Sequence, residues 1–243
     1  MSALAGRTCI VTGATSGIGH GVALAFAREG AAVWGLGRSV QRLEALVAGA
    51  AELQGEIRPL VVDLEDEADV QRAVEQVLAR SETVDLLVHS AGAIVLGSFE
   101  SVTPEDVDRL YRVNLRAPVV LTQALLPALR DARGQVVFIN SSAGLRASAE
   151  NVFYAATKHG LKAIADGLRD EVNRDRVRVI SIYAGRTATA MQRFVHEHEG
   201  REYRPELLLR AEDVVEVVLA AVCTPPSGEV TDVSVRPIAK LGA

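Results

Sequence analysis

The chain has 243 residues and carries 31 acidic against 26 basic side chains, a net charge of -5 that argues against a clustered basic surface for nucleic acid. Hydrophobic residues make up 49% but aromatics only 4%, so Ala, Val, Leu and Ile must fill the core, as in parallel sheets buried on both faces. No apolar run reaches the length of a membrane-crossing helix, the first residues lack a signal peptide's regions, and two cysteines make no disulfide framework; a cytoplasmic protein with no membrane partner is expected.

The first strand is expected at residues 7–12, running into Thr12-Gly13-Ala14-Thr15-Ser16-Gly17-Ile18-Gly19 and a helix over 18–29. Glycines between a strand and a helix allow a tight turn and bring backbone N–H groups close to an anion such as a diphosphate. Three residues separate the first two glycines and one the last two, so this is not the G-x-G-x-x-G spacing. A strand over 32–36 then meets Gly37-Arg38-Ser39, followed by a helix over 40–53. The third strand, 58–62, ends at Asp63-Leu64, and the helix over 67–80 has Asp66 placed to cap it. A strand over 84–89 leads to Ser90-Ala91-Gly92. The helix expected over 104–130 starts with Thr103 as cap and Pro104 in its first turn, and contains Asn114. The strand over 135–140 delivers Ser141, and the helix over 153–173 puts Tyr154 and Lys158 four apart on one face. A strand over 176–182, a polar lid over about 186–209, a helix over 211–222 and a strand over 230–236 complete the chain.

Strands separated by helices imply parallel pairing. The expected fold is α/β, a single Rossmann-type doubly wound domain over residues 1–243 with a seven-stranded, mostly parallel sheet and helices on both faces. Ligands of such sheets bind beyond the carboxyl ends of the strands. His196 and His198 lie two apart, which does not turn them to one helix face, so they are read as part of a solvated lid and no metal site is expected.

The order T-G-x-x-x-G-x-G, Asp63, Ala91-Gly92, Asn114, Ser141, Tyr154-x-x-x-Lys158 and Gly185-x-x-x-Thr189 resembles the short-chain dehydrogenase/reductase family along nearly the whole chain. The resemblance implies an oxidoreductase that interconverts a carbonyl and an alcohol with a nicotinamide cofactor. Gly13, Thr15, Ser16, Gly17, Ile18 and Gly19 would surround the diphosphate. The family's acidic position falls on Gly37, and the fork of Arg38 suits a 2′-phosphate, so NADP(H) is preferred with NAD(H) left open. Ser16 and Ser39 are possible further phosphate donors. Asp63 and Leu64 would meet the adenine, Ala91 and Gly92 the ribose, and Gly185, Thr187 and Thr189 the carboxamide end. His89-Ser90 replaces the usual asparagine pair, and Ala184 and Thr187 also depart from the pattern.

For the chemistry, the resemblance implies a tetrad of Asn114, Ser141, Tyr154 and Lys158. Ser141 would polarise the substrate oxygen, with Ser142 as runner-up. Tyr154 would exchange the proton, Lys158 would lower the phenol's pKa and hold the nicotinamide ribose, and Asn114 would hold a relay water. The small-molecule pocket is expected around Ala93, Ser142, Ala143, Met191 and Phe194. Family members commonly pair the fourth and fifth helices across a two-fold axis, which implies a homodimer or homotetramer. The competing readings are a catalytically silent NADP-binding regulator and an epimerase or dehydratase. The first would be free to lose Tyr154 or Lys158, and the second usually needs more chain after Thr189.

Overall fold

The computed structural model describes residues 2–238. Seven strands, β1 (Thr8–Thr12), β2 (Ala32–Gly37), β3 (Glu56–Val61), β4 (Leu86–His89), β5 (Gln135–Ser141), β6 (Arg178–Ala184) and β7 (Asp232–Val235), form one sheet in the order β3-β2-β1-β4-β5-β6-β7. All six pairings are parallel. The order reverses between β1 and β4, which opens the crevice that positions the site.

Alternation along the strands feeds two apolar layers. Cys9, Val11 and Val33 meet Val22 and Phe26 of α1 (Gly17–Arg28), Leu43 and Leu46 of α2 (Val40–Gly49), and Val214 and Val218 of α8 (Ala211–Val222). On the other face Ile10, Trp34, Leu87 and Phe138 meet three helices. These are α3 (Glu67–Leu78) through Val70 and Val74, α5 (Ala117–Ala132) through Leu121, Leu125 and Leu129, and α6 (Val152–Val172) through Leu161. Trp34 is 3% exposed, its indole N–H donates to Ser81 Oγ at 3.3 Å, and the Arg58 guanidinium lies 5.6 Å from its ring centroid.

The expected caps are present: Asp66 accepts from the Ala68 and Asp69 N–H groups, and Thr103 from that of Asp106. The single helix expected over 104–130 is two helices. α4 (Pro104–Tyr111) and α5 are joined by a π turn, Arg112–Arg116, and Asn114 in that turn bonds across to the loop after β4. The segment after β6, expected as a solvated lid, contains a further helix, α7 (Ala190–His198). There Thr189 caps the start, accepting from Gln192 N–H at 3.2 Å, and Val195 and His196 are buried. The expectation of a solvated His196 is therefore corrected. Its Nδ1 lies 2.9 Å from the Gln192 carbonyl, and its ring meets Tyr203 edge-on. At the amino ends of β5 and β6, Arg133 and Arg176 adopt left-handed backbone, φ 50° and 61°. Glycine is the residue that takes this conformation without cost; an L side chain there costs roughly 1–2 kcal/mol.

Candidate active site

A cleft of about 550 Å³ runs across the carboxyl ends of the strands. One end of its wall is the turn after β1. Gly13 has φ 69°, and a Cβ there would lie 2.8 Å from Ala91 Cα, so the chain ends of β1 and β4 touch backbone to backbone. Gly17, φ 56°, opens α1 behind Ser16, whose side chain makes no capping bond to the helix. The first N–H groups of a 12-residue helix therefore face the cleft without a side-chain acceptor, beside a wall that has no room for a methyl group. That cradle fits a dinucleotide diphosphate in both shape and polarity. Thr15, Ser16 and Ile18 line the cleft; Gly19 does not, and serves instead by lying against the Gly13 carbonyl.

The loop after β4 lacks the usual asparagines, and its brace comes from a residue that sequence reasoning passed over. Thr12 Oγ1 accepts from the Ser90 and Ala91 N–H groups, each at 3.1 Å. His89 points into the core, stacked on Phe138 with Nε2 2.9 Å from Thr122 Oγ1.

Further along, Gly37 and Arg38 reach the cleft, as do Asp63 and Leu64. The Arg38 guanidinium lies 3.6 Å from Glu65, which also accepts from Arg109 at 3.4 Å. The position of the family's acid is thus an empty Gly37 with a cation one residue on, and a Cβ on Gly37 would run into Thr15 Cγ2. Ser39 caps α2 by accepting from Arg42 N–H and stands off the cleft wall.

Ser141, Tyr154 and Lys158 converge on the cleft from β5 and α6. Asn140, another residue the sequence reading missed, ties these two elements together. Its Nδ2 donates to the Lys158 carbonyl at 3.1 Å, and its Oδ1 accepts from Ser141 N–H at 2.8 Å. A Cβ on Gly144 would fall 2.6 Å from Asn140 Oδ1, so that glycine makes room for the tie. Lys158 Nζ donates to the Ile139 carbonyl at 3.1 Å and sits 5.9 Å from the Tyr154 ring centroid.

Asn114, expected to hold a relay water, finds protein partners for its side-chain amide. Its Oδ1 accepts from Ala93 N–H at 2.8 Å, and its Nδ2 donates to the Ala93 carbonyl at 2.9 Å and to Thr157 Oγ1 at 3.1 Å. The side chain braces the loop and stands off the cleft wall.

Gly185, Thr187 and Thr189 line the far end; the Thr187 hydroxyl donates to the Gly185 carbonyl at 3.0 Å and Thr189's to the Thr187 carbonyl at 3.2 Å. Ala93, Ser142, Ala143 and Met191 lie on the cleft wall, together with Gln192 and Val195. Phe194 does not; it is half exposed against His198. Arg186 and Glu199 clamp the two ends of α7 with hydrogen bonds of 2.9 and 2.5 Å.

The electrostatics depart from expectation in one respect. Burial raises the Tyr154 pKa above the ordinary phenol value, and the Ser141 hydroxyl only partly opposes it. Burial also pushes Lys158 down to about 8 and, with the Lys158 charge as a smaller contribution, His89 down to about 3. Each shift has a consequence for stability. Between pH 8 and its ordinary 10.5, the folded Lys158 holds fewer protons than the unfolded one, so the fold gains stability as pH rises through that window. Lys158→Met should therefore melt higher than wild type at pH 7, by an amount on the order of a few kcal/mol that shrinks toward pH 10.5. Parallel melting curves for the two proteins would contradict this. For His89 the window is acidic. Below the ordinary 6.5 the unfolded chain takes a proton the fold refuses, so stability falls down to about pH 3. His89→Gln should flatten that slope in a melting-temperature series from pH 7 to 4; an unaltered slope would place the acid sensitivity elsewhere.

Among the described residues no helix is long and apolar enough to cross a membrane, and no group of three or more His, Cys, Asp or Glu could hold a metal. A family model described as short chain dehydrogenase matches residues 7–200. The chain is 30% identical over 244 residues to dehydrogenase/reductase SDR family member 11 of Bos taurus, covering 95% of this chain and 96% of that protein. It is 31% identical over 189 residues to a 3-oxoacyl-[acyl-carrier-protein] reductase of Thermotoga maritima, 77% of each. A metagenomic short-chain oxidoreductase solved with NADP superposes with a TM-score of 0.85 at 28% identity, covering 98% of this chain and 100% of that one. A short-chain dehydrogenase of Shigella flexneri, also solved with NADP, gives 0.88 at 28% identity, with 96% and 98% covered.

Proposed function

The chain belongs to the short-chain dehydrogenase/reductase family of oxidoreductases, and from that membership we propose that it interconverts a ketone or aldehyde and an alcohol with NADP(H), Tyr154 serving as general acid and base. The observation that carries the reading is one continuous wall. It joins an anion cradle at Gly13–Gly17, a cation at Arg38, and the Ser141, Tyr154 and Lys158 side chains. The NADP-bound relatives support the cofactor.

Gly13–Gly17, Arg38 and Lys158 would hold the nicotinamide cofactor along this wall, and its reduced form would supply the hydride for the carbonyl carbon. The protein's own work is on the oxygen. The Ser141 hydroxyl donates to it and lowers the energy of its developing negative charge, as fixed donors in a water-poor site do. Tyr154 gives that oxygen its proton, and in the reverse direction takes it back. The buried phenol is a weak acid on its own, which suits a donor that releases its proton only to a strongly basic alkoxide. Lys158 acts on both partners: its ammonium favours the phenolate and can meet the ribose hydroxyls. Asn114 and Asn140 are positioning residues, one holding the loop at Ala93 and the other holding Ser141 against α6. Ile94, Leu96, Met191 and Val195 give the substrate an apolar wall, and Gln192 and Asn151 add polar groups beside it. Residues 1–243 act in this reading as one unit, with 186–209 as the lid.

The test is NADPH oxidation against a panel of ketones and aldehydes, repeated with NADH. Consumption of NADPH with at least one of them is expected. Tight NADPH binding with no turnover on any member would favour the silent regulator instead.

A further inference from the structure

A second cavity, about 460 Å³, opens at the other end of the sheet, beside the amino ends of β1, β5 and β6. Four arginines line it, Arg7, Arg133, Arg176 and Arg178, in a chain whose net charge is -5. Such a gathering repels itself unless something negative completes it. The nearby carboxylates are largely committed elsewhere. Glu171 and Asp175 are held by Arg130, and Glu229, which accepts from Val179 N–H and Asn173, lends its charge to Arg178, so it is the rim pair that lacks a carboxylate. Arg7 takes Asp85 at 3.4 Å, and Nη1 of Arg178 donates to the carbonyls of Thr224 and Gly228 at 2.8 and 3.1 Å, which fixes its guanidinium at the cavity wall. Arg133 and Arg176 are exposed at the rim and form no ion pair among the described residues. They are also the two non-glycine residues with left-handed backbone among those described. Glycine would relieve the strain at both positions, yet both carry the side chain best suited to forked contact with phosphate oxygens.

We propose that this cavity is a binding site for a compact oligophosphate, either free diphosphate or the diphosphate of a nucleotide. It lies at the opposite end of the strands from the cleft, so its ligand does not compete for the cradle at Gly13–Gly17. Rim arginines close over the anion while Arg7 and Arg178 supply the floor.

Cys223 lies on the cavity wall and is exposed, whereas the other cysteine, Cys9, is fully buried, so alkylation of the native chain reads this site alone. The experiment measures the rate of Cys223 alkylation by iodoacetamide on the full chain at constant ionic strength. Inorganic pyrophosphate and ADP are titrated separately. Saturable protection, a fivefold or greater slowing, is expected with at least one of them, and the one acting at lower concentration identifies the source of the phosphate. Arg133→Gly/Arg176→Gly should abolish protection while melting at or above the wild-type temperature, because it removes backbone strain. Arg38→Ser, altered in the cleft only, should keep it. No protection in wild type, protection matched by sodium chloride, loss in Arg38→Ser, or full protection in the double glycine variant each overturns the site.

Discussion

Tyr154→Phe should lower turnover by roughly two to four orders of magnitude while leaving NADPH binding within about twofold of wild type. The ring is 8% exposed and packs with Ala93, Leu110 and Ala155, and phenylalanine keeps that packing. Only the hydroxyl is lost, and with it the group proposed to deliver the proton. The cradle and Arg38 are untouched, so cofactor affinity has no reason to move. Ser141→Ala should lose less, about 100-fold, because it removes a donor to the charged oxygen but leaves the proton route. Steady-state rates with any accepted carbonyl compound, paired with NADPH fluorescence titration, separate the two. Near-normal turnover in Tyr154→Phe would sink the mechanism while leaving the fold and family intact.

Arg38→Asp should swing the ratio of NADPH to NADH affinity by about 100-fold or more toward NADH. A charge-assisted hydrogen bond to phosphate is worth about 1.5–3 kcal/mol. The new carboxylate would also repel the 2′-phosphate and face Glu65, now 3.6 Å from the arginine. The neighbouring position tests the same pocket by sterics. Gly37→Asp alone should weaken both cofactors, since its Cβ has no room beside the Thr15 methyl. Thr15→Ala/Gly37→Asp, which removes the obstructing Cγ2, should recover NADH but not NADPH. Unchanged preference in Arg38→Asp would remove this residue from the phosphate site.

What could be read in the sequence was what depends on neighbours along the chain. The turn after β1 is written in three glycines within seven residues, and Tyr154 with Lys158 needs only helical periodicity. The bracing was hidden because it spans the fold. Thr12 reaches residues 90 and 91, Asn114 reaches Ala93, and Asn140 reaches the backbone of Lys158. A polar residue closing an otherwise apolar strand was the available hint for both Thr12 and Asn140. The π turn that carries Asn114 leaves no periodic mark in the sequence. α7 was missed because its nine residues are mostly polar. With the helix known, Met191 and Val195 fall four apart on the cleft side and Phe194 turns outward, which explains the misplaced pocket residue. The rise in the Tyr154 pKa was out of reach because burial is a property of the assembled fold.

Trp34, the sole tryptophan, gives the molecule its own spectroscopic label. It sits in β2 between β1 and β3, sealed from water, with its N–H held by Ser81 and a guanidinium near its ring. An indole in such a place emits at shorter wavelength than one in water, and a single emitter gives one interpretable signal. The emission therefore reports the integrity of the β1–β2–β3 half of the sheet, the half that ends in Gly13 and Arg38. The β5–β6–β7 half is optically silent in tryptophan emission. Comparing this signal with backbone circular dichroism during a melt distinguishes concerted unfolding of the sheet from the loss of one half before the other.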